Sequence, residues 1–325
     1  MRLIHHPILC NYYLTYRCNA RCGFCDIWEK PSSYALLEHA QKNFSDLKRL
    51  GVKIIDFTGG EPLLHRQIED FLQLAKDFGF ITTLTTNGLL YPKKAQKLKG
   101  LIDMLHFSLD SSDKEQHDTM RGAACFDSVM KSIEVAIALG ERPDILFTVF
   151  NDNTDQISQV YEKIVLPHKL VLILNPAFEY NGIGETPSQE LFTELRKYGR
   201  KKNVYLNEAF ITLRQNGGND LKHPVCKAAS SSVVISPDNK LVMPCYHLGM
   251  ESFPIEDALY DLYRADKIKQ LRSMEGRYPE CQGCAINCYM QPSFAVNVNR
   301  YFFKALKSTL KYNWMKGTWR KLKLY

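Results

Sequence analysis

The chain has 325 residues, 45% of them apolar and 24% charged, which suits a large buried core and excludes a disordered or low-complexity chain. It has no run of about eighteen uncharged apolar residues, so a spanning helix is not expected, and the start reads as a lead-in to a strand rather than a signal peptide. The net charge of +7 is local: from Cys281 onward there are eight basic residues and no acidic ones, leaving 34 basic against 35 acidic residues elsewhere. The expected compartment is the cytoplasm.

In chain order, short apolar runs cover Ile8–Tyr16, Lys53–Phe57, Phe80–Thr85, Met104–Leu109, Ile145–Phe150 and Leu170–Leu174. Each is rich in β-branched or aromatic residues and bounded by Gly, Asn, Asp or Pro, as buried strands are. Between them Ile68, Phe71, Leu72 and Ala75 recur at helical spacing, and so do Phe126, Val129, Ile133 and Ile137. Repeated strand–helix units predict an α/β fold with a parallel sheet, as a partial (βα)6 barrel over residues 1–205. A doubly wound open sheet is the competing topology. Past residue 205, Val233–Ile235 and Leu241–Met243 flank the turn Pro237-Asp238-Asn239 and predict a hairpin. A helical stretch near Asp257–Met274 follows, so residues 206–292 are expected to form a small cysteine-bearing domain and 293–325 a basic aromatic tail.

Ten cysteines in a chain without export signals favour metal ligation over disulfides. Cys18, Cys22 and Cys25 form C-x3-C-x2-C just after the first predicted strand. Three thiolates on one loop can hold three corners of a [4Fe–4S] cubane, leaving one iron with an open position. A zinc site or a reactive loop is the alternative. The motif resembles the signature of the radical S-adenosylmethionine (SAM) superfamily. The resemblance implies a barrel of the radical SAM type and SAM bound at the open iron. It also implies reductive cleavage to a 5′-deoxyadenosyl radical and hydrogen abstraction from substrate, with a flavodoxin or ferredoxin as low-potential electron donor. A second segment fits: Gly59-Gly60-Glu61-Pro62 follows the second strand, where the superfamily has a motif contacting the SAM amino group, and Glu61 can accept from an ammonium. Thr86 and Asn87, Ser108 and Asp110, Arg121 and Asn153 resemble further SAM-facing positions. Taken singly, Thr86, Ser108 and Asp110 also read as turn or cap residues. Cys10 and Cys125 are expected to pack as small hydrophobes.

Cys226, Cys245, Cys281, Cys284 and Cys288 form the second group. The pattern resembles the SPASM or shorter twitch domains of radical SAM enzymes, which implies one auxiliary [4Fe–4S] cluster on Cys226, Cys245, Cys281 and Cys284, with Cys288 spare or substituting. Zinc is the competing metal. In the tail, Phe303, Leu306, Leu310 and Trp314 make an apolar stripe flanked by Lys307 and Lys311. It either packs on the barrel or lies in a membrane interface against anionic headgroups; no nucleic acid is expected. The cysteine motif begins too early for a preceding leader-binding domain, which tilts the expected substrate toward a small molecule or lipid. A peptide substrate brought by a separate carrier, and a non-catalytic iron–sulfur scaffold, are the alternatives.

Overall fold

A computed structural model describes residues 2–179 and 182–318. The strands are β1 (Leu9–Thr15), β2 (Ile54–Gly59), β3 (Ile81–Thr86), β4 (Met104–Ser108), β5 (Asp144–Val149), β6 (Val171–Pro176), β7 (Val204–Tyr205), β8 (Ser232–Ile235), β9 (Lys240–Met243) and β10 (Glu251–Pro254). They form one sheet in the order β10-β9-β8-β1-β2-β3-β4-β5-β6-β7. The pairs from β8 through β1 to β7 are parallel, and β9 and β10 add antiparallel pairs. The sheet is not closed, and β1 to β7 follow one another in sequence order, so the predicted partial barrel with a parallel sheet is present and the doubly wound order is not.

Alternation along each strand separates two faces. Tyr12, Leu14, Ile55, Phe57, Leu84, Phe107 and Phe147 are buried against the helices. Tyr12, Phe44, Phe57 and Phe71 interlock there, with ring centroids 5.5–6.4 Å apart. The opposite, concave face carries Asn11, Tyr13, Asp56, Thr83, His106 and Asp144.

Two features of the C-terminal third differ from the expectation of a separate appendage and tail. The predicted hairpin is present as β8–β9, with Asn239 in the left-handed region at φ 58°. But β8 also pairs with β1 in register, so the sheet runs across the expected boundary near residue 205. The tail contains helix Arg300–Lys316, whose Tyr312 and Met315 pack on Leu146, Val171, Ile173 and Tyr205. Its base is latched: Tyr312 Oη donates to Asp144 Oδ2 at 2.6 Å, and Lys316 Nζ donates to Asp144 Oδ1 at 2.8 Å and to the Arg142 carbonyl. The packed face is not the predicted stripe. Phe303 is 59% exposed, Leu306 and Leu310 42% and Trp314 80%. Trp319, Arg320, Lys321, Lys323 and Tyr325 lie outside the described residues.

Candidate functional site

The first cysteine loop leaves the C-terminal end of β1 and is held by backbone contacts with the end of β2. Gly60 N donates to Thr15 O and Glu61 N to Arg17 O, both at 2.9 Å. A Cβ on Gly59, which has φ 135°, would stand 2.0 Å from Thr15 O, and one on Gly60 2.2 Å from Arg17 O. These glycines therefore let the cysteine loop lie directly on the β2 turn.

Glu61 is buried and caps the short helix Pro62–Leu64. Its Oε1 accepts from Leu63 N at 3.0 Å and Thr86 Oγ1 at 2.8 Å; its Oε2 accepts from Asn87 N at 2.9 Å. The carboxylate thus ties the ends of β2 and β3 together. Burial pushes its pKa up to about 7, against the lowering effect of those three bonds. Asn87 Nδ2 donates to Asn19 Oδ1 at 2.7 Å and lies 4.0 Å from Cys18 Sγ.

Arg121 serves the other side of the loop. Its Nη2 stands 2.6 Å from Asp110 Oδ2, and its Nη1 is 4.0 Å from Cys22 Sγ. The guanidinium covers the Phe24 ring at 5.3 Å, and its buried Nε has no partner. Asp110 Oδ1 accepts from Thr148 N at 2.8 Å. Asn153 bridges the loops after β4 and β5: Nδ2 donates to Asp110 O at 3.3 Å and Thr148 O at 3.0 Å, and Oδ1 accepts from Phe150 N at 2.8 Å. Ser108 is buried at the end of β4. Of the sequence-predicted residues, Asn87 and Arg121 approach the sulfurs, Gly59 to Glu61 hold the cysteine loop, and Asp110 and Asn153 adjoin Arg121. Burial drives the Cys18 thiol up to about 11 and raises that of Cys25, so both become thiolates most readily with a cation in place. Three convergent thiols with amide and guanidinium donors aimed at the sulfurs fit an anionic iron–sulfur centre.

The second group also converges. Cys226, Cys245, Cys281 and Cys284 lie near enough that their charges oppose one another's ionisation, after burial as the larger cause. Buried Asn219, unflagged by the sequence, organises them. Its Oδ1 accepts from Val225 N and Cys226 N at 3.0 Å, and its Nδ2 donates to Gly276 O at 2.8 Å and Cys281 O at 3.1 Å. Arg214, also unforeseen, is buried with Nη1 donating to the Ala177 carbonyl and Nη2 to Ala285 O at 3.2 Å. Among the described residues no acidic group pairs with it, and burial depresses its pKa to about 9, with the Cys284 thiol close by. A buried guanidinium of this kind fits an anionic centre at the four sulfurs. No three of these thiols lie mutually within 4.8 Å among the described residues. Cys288 stands apart: Asp56, rather than the other four thiols, faces it.

One cluster with ligand spacing went unforeseen: His117, Asp118 and Cys125. Its atoms are already committed. His117 Nδ1 accepts from Asp110 N at 3.2 Å, which leaves Nε2–H to face Cys125 Sγ at 3.4 Å, and Asp118 Oδ1 accepts from Cys125 N and Phe126 N at 2.8 Å. It is a structural knot that fixes the Arg121 helix.

Residues 12–164 match the family model of the Radical SAM superfamily. A probable GTP 3′,8-cyclase of Sulfurisphaera tokodaii is 26% identical over 309 residues, covering 89% of this chain and 94% of that protein. Another, from Methanococcus maripaludis, is 35% identical over 135 residues, which span 40% of this chain and 45% of the relative. The crystal structure of Streptococcus suis SuiB bound to S-adenosylmethionine superposes with a TM-score of 0.69 at 16% identity, covering 90% of this chain and 76% of that one.

Proposed function

Because this chain belongs to the radical SAM superfamily and is an enzyme, we propose that Cys18, Cys22 and Cys25 hold its [4Fe–4S] cluster and that the surrounding strand ends bind SAM. When bound, cluster and SAM supply a one-electron cleavage that yields a 5′-deoxyadenosyl radical, which abstracts hydrogen from substrate. The chain's own part is positioning. Gly59 and Gly60 seat the cysteine loop; Glu61, Pro62, Thr86 and Asn87 fix the adjoining turn. Arg121, held by Asp110, which Asn153 ties to the loop after β5, keeps an unpaired Nε–H for an anionic group such as the SAM carboxylate, and Ser108 is buried at the end of the adjoining strand. The observation that carries this reading is the convergence of the β1 to β5 loops on the three thiols. The test is to incubate reduced, cluster-filled protein with SAM. Formation of 5′-deoxyadenosine is expected, and its absence would leave a non-catalytic scaffold.

For the second group the proposal is one auxiliary [4Fe–4S] cluster on Cys226, Cys245, Cys281 and Cys284. The buried Arg214 guanidinium beside Cys284, with no acidic partner among the described residues, supports an anionic metal centre there. About eight irons per chain after anaerobic reconstitution would support the cubane, and about four irons with one zinc would refute it.

A small molecule is the favoured substrate, supported by the relative named as a GTP cyclase that matches along most of its length; a lipid is the second candidate. SuiB has been solved with a precursor peptide, so maturation of a carrier-delivered peptide is the alternative. A flavodoxin or ferredoxin is the proposed electron donor. No helix among the described residues is long and apolar enough to cross a membrane. The exposed Phe303–Trp314 stripe on a basic helix instead supports peripheral contact with an anionic membrane at the cytoplasmic face. Binding of full-length protein to anionic but not zwitterionic vesicles, lost on Phe303→Ser with Trp314→Ser, is expected. Truncation is the wrong probe, because Tyr312 and Lys316 anchor the barrel. Equal binding by the double variant would end this idea.

A further inference from the structure

The concave face of the sheet carries polar groups that cluster and SAM binding leave unused. Asn11 and Asp56 are register partners on β1 and β2, and strand alternation turns both away from the helix-side core. Thr83, the next register partner on β3, donates its hydroxyl to Asp56. Asn11 is 4% exposed, yet its Nδ2 has no acceptor. Helix Asn287–Ser293 spans this concavity. Its Tyr289 bonds Tyr13 of β1, and Asn287 Nδ2 donates to Asn175 Oδ1 of β6 at 2.8 Å. Asn287 Oδ1 is buried with no donor. Between these contacts Cys288 is an exposed residue, near enough to Asp56 for the carboxylate to oppose its ionisation.

Buried polar groups in native proteins nearly always have partners, so these unsatisfied atoms describe a ligand by complement. Asn11 offers one N–H donor. Asp56 keeps free lone pairs beyond its bond from Thr83, and no cation pairs with it among the described residues. Asn287 offers another acceptor. The complement is a carbonyl with N–H donors beside it on one edge. A trans peptide bond points its C=O and N–H to opposite sides and cannot meet Asn11 and Asp56 together. A lactam or a primary carboxamide can.

Resting on the proposed function and deepening it, we infer that Asn11, Asp56 and Asn287 are the substrate-binding floor of this enzyme, for a small molecule with a cis-amide edge lying against Cys288. The test uses the full chain with its clusters loaded. Seven thiols are then ligated, and Cys10 and Cys125 are buried, so Cys288 is the thiol open to iodoacetamide. Its alkylation rate, read by peptide mass spectrometry, is compared with guanosine (a lactam), benzamide (a primary carboxamide) and adenosine (no carbonyl). Guanosine or benzamide should slow alkylation about tenfold at ten times its Kd, whichever protects naming the source of the edge; adenosine should not. Asn11→Leu should weaken protection about three- to tenfold. Asn11→Asp, which turns the donor into an acceptor, should abolish it and serves if the leucine variant does not fold. Unreactive Cys288, free alkylation with both amides present, or equal protection by adenosine would each overturn the site. Deoxyadenosine formation is scored separately: if it occurs without protection only this floor fails, and if protection occurs without it the enzymatic reading fails.

Discussion

Lys316→Met tests whether the C-terminal helix is part of the barrel or an appendage. Side-chain exposure is 7% for Lys316 and 0% for Asp144, so solvent screens their 2.8 Å pair little. Removing one partner of such a pair leaves an uncompensated buried charge, costing about 3–5 kcal/mol. Tyr312 Oη and the His106 ring, whose Nε2 is 3.5 Å from Asp144 Oδ2, remain nearby but supply no fixed positive charge. Unfolding entropy of about 2.1 cal/mol/K per residue gives roughly 0.7 kcal/mol/K here, so the expected fall in Tm is about 4–7 °C. Thermal unfolding of both proteins, with Asp144→Asn closing a double-mutant cycle, measures this. A deficit below about 1 kcal/mol would refute the latch.

Gly60→Ala should abolish cluster loading, because its Cβ would meet the Arg17 carbonyl at 2.2 Å and push the cysteine loop off β2; iron content and the cluster's visible absorbance read this out. Glu61, with its pKa raised to about 7 in the fold, contributes stability that is complete below the unfolded carboxylate range and lost as pH rises through about 7. Glu61→Gln should remove that slope from a Tm-versus-pH series, even as it weakens the bond to Asn87 N. Arg214→Leu should shift the auxiliary centre's midpoint potential to more negative values in an EPR titration, since a buried cation favours the added electron.

Much of the strand layout was legible because parallel strands buried on the helix side announce themselves as short branched and aromatic runs. The six predicted strands match β1 to β6 to within one or two residues. The β7 strand is two residues long and β10 alternates without a hydrophobic run, so neither carried a signal. That β8 docks on β1 was invisible, because pairing partners distant in sequence leave no periodicity. Clustered cysteines flagged both candidate metal-binding segments. Asn219 and Arg214 were missed because their importance lies in bonds to backbone carbonyls and amides, which any sequence offers everywhere. The tail's stripe was read correctly as a pattern, but the helix packs by Tyr312, Met315 and Lys316, a face whose polar members gave no hydrophobic signature.

A metal centre at the second cysteine group would have a structural consequence. Cys281 and Cys284 are followed directly by the helix that carries Asn287, Cys288 and Tyr289 across the concave face. The link is short: Arg214 grips Ala285 O, and Asn219 N donates to Cys284 O at 3.0 Å. A metal centre on the four sulfurs would fix the start of this segment, and with it the wall opposite Asn11 and Asp56. In the metal-free protein burial raises the thiols, so the segment is held by Asn219, Arg214 and the bonds of Asn287 and Tyr289 without a metal centre at its start. Hydrogen exchange of residues 287–293 should therefore slow when the second centre is loaded, while amides of β3 and β4 remain unchanged. Cys284→Ser should reverse that slowing without altering the absorbance of the first cluster. Identical exchange with and without the metal would show that the wall is held by side-chain packing alone.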